Sequence, residues 1–328
     1  MLALQSFLAL LLSSAGWVTN SLTKQGESIN KPWVAMYAIA GLIWGASFLF
    51  IELALTFLTP IGVAFGRTFF GALAMVVAML IFKSKLPTSF EAWKHLTIAG
   101  ILMSSIPFVL FAYAQTQVTS ALAAIINAVT PITTVIVLLV AFRTEKLKPH
   151  VVVGIVIGLL GVLVVLGAWQ GFGENNPLAI VAMLIAVILY GIGTPYVRKY
   201  VAPLKLATEV SVFGQVGTAA LTLLPIYLLS GPLITAVPNV ASVGAIVTLG
   251  ALGSGVAYLL FYKILDVVGS AIASSVTYIT PVIAVILGVI LLGEKLHWYE
   301  PVGGVIVILG AAISQGSVLT LFRKKTIA

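Results

Sequence analysis

Two threonine–proline pairs, Thr130-Pro131 and Thr280-Pro281, stand 150 residues apart in otherwise apolar sequence. Proline lacks an N–H and its ring clashes with the preceding helical turn, so each pair frees a backbone carbonyl. Asn127 precedes the first pair; Ser274, Ser275 and Tyr278 precede the second. Hydroxyls, an amide and freed carbonyls can hold the polar part of a small solute without covalent chemistry. The same residues also read as packing kinks whose hydroxyls bond a carbonyl of the previous turn. Further polar and aromatic side chains in apolar surroundings are Trp44, Ser47, Ser105, Tyr190, Thr194, Ser254 and Tyr258. With Asn127, Thr130, Ser275 and Tyr278 they form the candidate binding set, while Pro131 and Pro281 are candidate gating hinges.

Covalent and metal chemistry find little footing. The chain has no cysteine, which removes thiolate ligands, disulfides and Cys nucleophiles. His95, His150 and His297 show no metal-ligand spacing. HExxH, GxSxG and Walker A sequences are all absent, so neither catalytic residues nor a cofactor are expected. Without a nucleotide loop, any solute must move down its own gradient, by exchange or with a coupling ion.

The elements that position these residues follow from composition. Apolar residues make up 61% of the 328 positions and charged residues 8%, too few charges to cover a water-soluble surface, so lipid is the expected solvent. Ten apolar runs of membrane-spanning length fall at approximately 33–56, 60–82, 94–114, 119–142, 150–168, 178–199, 208–229, 239–262, 269–292 and 300–321. In lipid every backbone group must be paired internally, which makes continuous helices the expected form, and no alternating barrel strands occur. The net charge of +8 sits in short gaps between runs, which does not suit nucleic acid. Lys31, Lys83, Lys85, Lys94, Arg143, Lys146, Lys148, Arg198, Lys199, Lys205, Lys263 and Arg323 to Lys325 all fall on one side, while the other has only Lys295 in its loops. The positive-inside rule then puts both termini in the cytoplasm, with the protein multi-pass in a cytoplasmic (inner) membrane. Residues 1–32 form an extension that reads as an interfacial segment or as sequence upstream of the true start.

Charges inside the spans need a reason, since each costs about 2.5–3.5 kcal/mol at a helix centre. Glu52 lies near the outer end of the first span and Arg67 in the second, entering from the same side. They are expected at similar depth, either as an ion pair fixing the hairpin or as a gate or proton-coupling site. With the midplane otherwise uncharged, a neutral or zwitterionic solute is expected over a dianion. The aromatic candidates would suit an apolar side chain, although aromatics also populate membrane interfaces. Gly41-x-x-x-Gly45 and Gly154-x-x-x-Gly158 read as close helix contacts.

The two halves repeat. SALAAIINAVTP (120–131) recurs as SAIASSVTYITP (270–281), Glu-Lys-Leu at 145–147 recurs at 294–296, and Phe65-Gly66 recurs as Phe213-Gly214. A five-span repeat is odd-numbered, so the second copy enters from the opposite side. Inverted repeats let two halves exchange shapes and so give alternating access.

On GLIWGASF (41–48), EKLKPHVVVGIVIGLLG (145–161) and GEKLHWYEPVGGVIVILG (293–310), the chain resembles the EamA-type transporters of the drug/metabolite transporter superfamily over residues 33 to about 322. The second copy of the first motif, LYGIGTPY (189–196), departs from it by placing Tyr190 where Trp44 stands. The resemblance implies an all-α integral membrane protein of ten transmembrane helices in two inverted five-helix repeats, 33–168 and 178–322. It also implies a central cavity, expected among helices 1, 3, 4, 6, 8 and 9, and export or exchange of amino acids, related metabolites or drug-like molecules, amino acids being expected first. The partners expected are a small-molecule substrate and the bilayer, with the oligomeric state left open and a monomer acceptable. The alternatives are a lipid or lipid-carrier translocase and a membrane enzyme or assembly factor acting at the interface.

Overall fold

The computed structural model describes residues 32–143, 148–165, 167, 169, 176–231, 234–292 and 298–314. Both Glu-Lys-Leu segments and the N-terminal extension up to Lys31 lie outside the described residues. The fold is all helical: α1 (Pro32–Leu55), α2 (Pro60–Phe82), α3 (Phe90–Ala114), α4 (Ser120–Phe142), α5 (Pro149–Val165), α6 (Pro177–Leu204), α7 (Thr208–Leu229), α8 (Val240–Val268), α9 (Ser270–Ser274 and Ile279–Leu292, joined by a 3-10 turn at Ser275–Tyr278) and α10 (Tyr299–Ser314). Over their described residues, eight of these are long and apolar enough to cross a membrane, and α5 and α10 are shorter.

Local signals start and stop the helices. Thr59, Ser89, Thr119 and Asn176 each accept a bond from a first-turn backbone N–H, and Asn239 makes a capping box with Ser242. On the side carrying the basic loops, α2, α4 and α6 end at Lys83, Arg143 and Lys205, all left-handed. The tight junction between α8 and α9 turns on Gly269 at φ 85°, a conformation glycine adopts without penalty.

The packing suits a bilayer. Leu80, Leu160, Leu221, Leu228 and Ile290 stand exposed on the outer faces, while Ser104, Gln215, Thr134, Ser254 and Thr280 are fully buried. Outward apolar faces of this extent require a lipid partner.

The inverted repeat is visible contact by contact. α1 packs on α9 and on α8; in the other half α6 packs on α4 and on α3. α2 packs on α8 as α7 packs on α3, and the pairs α2–α7, α4–α9 and α5–α10 meet across the pseudo-axis. Individual atoms follow suit. A Cβ on Gly45 would lie 2.5 Å from Ile283, and one on Gly191 2.4 Å from Thr133. Gly66 likewise meets Ile246 at 2.8 Å and Gly214 meets Leu96 at 2.5 Å. In each case the small residue lets a facing side chain pack directly onto the helix backbone. The α5–α10 crossing is tightest: a Cβ on Gly154 would lie 2.3 Å from Ser314 N.

Wide π turns interrupt α3 at Ile101–Ser105 and α8 at Leu249–Val256. These are equivalent places in the two halves. Such turns loosen the backbone ladder and commonly mark functional positions.

Candidate functional site

A cavity of about 70 Å³ lies at the centre, walled by α1, α2, α3, α4, α6, α8 and α9. These are the six helices expected from sequence, with α2 added by Arg67. That volume holds a handful of waters. Small-molecule pockets usually run to a few hundred Å³, so a solute needs the surrounding helices to move apart.

Most of the wall is aromatic. Trp44 Nε1 donates to Gly253 O at 2.9 Å, a carbonyl in the π segment of α8. The indole lies edge-on to Tyr258 at 5.4 Å and tilted against Phe261 at 5.3 Å. Tyr258 Oη donates to Met103 O in the matching π segment of α3. On the other side Phe111 stacks on Tyr190 at 6.1 Å and meets Phe48 at 6.0 Å.

Arg67 supplies the charge. It is 6% exposed and forms part of the cavity wall. Nε donates to Ser254 Oγ at 3.1 Å, and the guanidinium lies 3.5 Å over the centre of the Phe108 ring. A planar cation over an aromatic face is favourable and fixes the side chain. Among the described residues both ion pairs run to Glu91, and Arg67 has none. Its Nη groups, the Asn127 amide, the Tyr190 hydroxyl and the Thr194 hydroxyl also have no hydrogen-bond partner among the described residues, although each residue lines the cavity. The expected Glu52–Arg67 pair does not form. Glu52 is exposed and accepts a bond from Ser120 Oγ at the start of α4, whereas Arg67 turns to α3 and α8.

Of the binding candidates, Trp44, Ser47, Asn127, Thr130, Tyr190, Thr194 and Tyr258 come together on the cavity wall. Four candidates lie elsewhere. Ser105 bonds Thr222 Oγ1 at 2.8 Å between α3 and α7. Ser254 stands behind Arg67 and positions it. Ser275 bonds Tyr37 Oη at 2.7 Å, and Tyr278 donates to Ile155 O at 2.8 Å, holding α9 to α5. Ser274 and Thr277 line the cavity in their place. The 3-10 turn presents Ser275 to Tyr37 of α1 and Tyr278 to Ile155 of α5 instead.

Both Thr-Pro breaks are present. α4 is interrupted between Asn127 and Thr130, and α9 by the 3-10 turn before Ile279. The carbonyls they free are already taken, because Thr130 Oγ1 donates to Asn127 O at 2.7 Å and Thr280 Oγ1 to Thr277 O at 2.7 Å. Pro131 and Pro281 are buried at the start of the second segments and do not line the cavity.

Sequence reasoning passed over Phe48, Ile51, Met103, Phe108, Phe111 and Phe261 as wall residues, because a buried apolar residue carries no mark of facing a void. It also passed over Gln215. The Phe65-Gly66 and Phe213-Gly214 alignment places Gln215 opposite Arg67, and that signal was available.

Ten helices in two inverted halves around a central cavity define a multi-pass membrane transporter. The EamA-like transporter family model matches residues 31–167 and again 177–315, and the chain belongs to that family. It is similar to the uncharacterized inner membrane transporter YedA of Escherichia coli strain K12, at 27% identity over 87% of this chain and 91% of that protein. An uncharacterized transporter of Archaeoglobus fulgidus is 28% identical over 86% of this chain and 98% of its own length. A solved crystal structure matches with a TM-score of 0.70 and 21% identity, covering 89% of this chain and 99% of that one, which shows the shared fold.

Proposed function

We propose that the chain is a secondary transporter or facilitator that exports or exchanges small metabolites of amino-acid size by alternating access through the central cavity. The carrying observation is the cavity itself: it lies where the inverted halves meet, and Arg67, Asn127, Tyr190 and Thr194 offer it hydrogen-bonding groups that no described residue uses. Buried polar groups are normally paired, so unpaired ones facing a void suit a guest that comes and goes. The aromatic walls suit an apolar or aromatic side chain. Arg67 adds a single cation to a wall that otherwise suits neutral and zwitterionic solutes, amino acids first. The basic loops support a cytoplasmic location for both termini.

A second reading, an amphipathic lipid-like solute, draws on a groove between α1 and α8. It is lined by Leu42, Ile43, Phe50 and Leu252 and shares Ser47 with the cavity.

Reconstituted protein should move at least one member of a panel of amino acids, related acids, nucleosides and drug-like compounds faster than protein-free vesicles do. No flux for any member would sink the proposal, and flux confined to lipids would favour the second reading.

A further inference from the structure

We infer that the solute is a monoanionic carboxylate with a ring-sized apolar body, and that Arg67 is its anchor. The inference rests on the transporter reading above and narrows it by charge. Among the described residues Arg67 is the single formal charge on the cavity wall, whose lining includes no aspartate or glutamate. A cation in this setting is costly without a counter-charge. The protein supplies only a serine and a ring face, at Ser254 and Phe108. Its Nε donor is engaged and its two Nη groups remain, which is the half of the guanidinium that grips a carboxylate with two parallel bonds.

Charge count separates the candidate classes. A monoanion brings the occupied cavity to neutrality. A dianion leaves one charge over. A zwitterion would place its ammonium in the same small space as Arg67, where Asn127, Tyr190 and Thr194 offer acceptors but no negative charge. In a poorly hydrated cavity that repulsion is only weakly screened. Trp44, Tyr258, Phe261 and Phe111 then receive the apolar body.

The energetics of movement follow. Arg67 is held by α8 and α3 and stays with the protein, so each turnover without exchange carries one negative charge. A potential negative on the cytoplasmic side drives such an anion outward with no coupling ion.

Three compounds sharing one phenyl body test the idea in proteoliposomes, with flux corrected for protein-free vesicles: 3-phenylpropanoate, L-phenylalanine and 2-phenylethylamine. The expected result is that 3-phenylpropanoate has the highest kcat/KM, and that a potassium diffusion potential negative on the loaded side speeds its exit. Arg67→Gln should lower its kcat/KM by about tenfold to a hundredfold, the usual range for a lost charged hydrogen-bonded contact. Arg67→Lys should retain more, keeping the charge without the fork. If phenylalanine or phenylethylamine is carried as well as the acid, or if its exit ignores the potential, the anion inference is overturned while the transporter reading stands. Those arms use the unaltered protein, so a variant that misfolds does not blur them. Flux of none of the three overturns the inference and weighs against the transporter reading too.

Discussion

Arg67 and Gln215 occupy equivalent positions in the two inverted halves, and each reaches the equivalent serine of the facing helix. Arg67 Nε donates to Ser254 Oγ at 3.1 Å, and Gln215 Nε2 donates to Ser104 Oγ at 2.9 Å. The backbones repeat the relation, since a Cβ on Gly250 would meet Arg67 O at 2.9 Å and one on Gly100 would meet Gln215 O at 2.5 Å. One architecture thus carries a cation in one half and a neutral amide in the other.

Gln215 should be structural where Arg67 is functional. Its Oε1 also accepts from Tyr262 Oη at 2.7 Å, and the side chain is fully buried away from the cavity. Gln215→Leu strands the Ser104 and Tyr262 hydroxyls, at a cost of about 1–3 kcal/mol for each buried group left unmade. Thermal unfolding in detergent should show a clear loss of stability, with flux per folded molecule little changed. A stable variant that no longer transports would place Gln215 in the solute path instead.

The α5–α10 crossing should be intolerant of even one carbon. Gly154→Ala puts a Cβ within 2.3 Å of Ser314 N and 2.6 Å of Gly310 O, both backbone atoms that cannot swing aside. Overpacking of this kind costs about 1–3 kcal/mol. Gly244→Ala, where a Cβ meets nothing within 4 Å, is the matched control and should not lower the unfolding temperature, since alanine is the better helix former. Equal behaviour of the two variants would show that the crossing relaxes freely.

Glu52 and Arg198 each tie two helices together at corresponding places in the two halves. Their positions correspond through the Gly45 and Gly191 alignment. Glu52 receives Ser120 Oγ at the α3–α4 junction on one face, and Arg198 donates to Leu265 O at the α8–α9 junction on the other. If each tie holds its own end of the bundle shut, Glu52→Ala and Arg198→Ala should bias access in opposite directions. A tie worth about 1 kcal/mol changes the open fraction roughly fivefold. The chain lacks cysteine, which makes Ser274→Cys on the cavity wall a clean reporter for thiol labelling from either side. Labelling rates that shift the same way in both variants would count against this assignment.

Much of this was legible in the sequence because lipid leaves few options. Apolar runs fix helices, and the 150-residue recurrence around Thr130-Pro131 and Thr280-Pro281 gives the inverted plan. Trp44, Asn127 and Tyr190 were legible as cavity residues because polar or aromatic groups in such runs need a reason to be there. Ser275 and Tyr278 misled because a polar group before Pro281 carries no mark of which side of the helix faces the cavity; Ser274 and Thr277, one position earlier, face it. The Glu52–Arg67 pair misled because similar depth does not specify direction, and the π turns that draw Arg67 to Ser254 leave no mark in composition.

The cavity as the path of the solute is tested most directly by Ser274→Cys in proteoliposomes, modified to completion with a membrane-impermeant thiol reagent. The account predicts that the cysteine reacts from either face as the halves rock, that a transported solute slows the reaction, and that modification stops flux. Full modification with undiminished flux would contradict it.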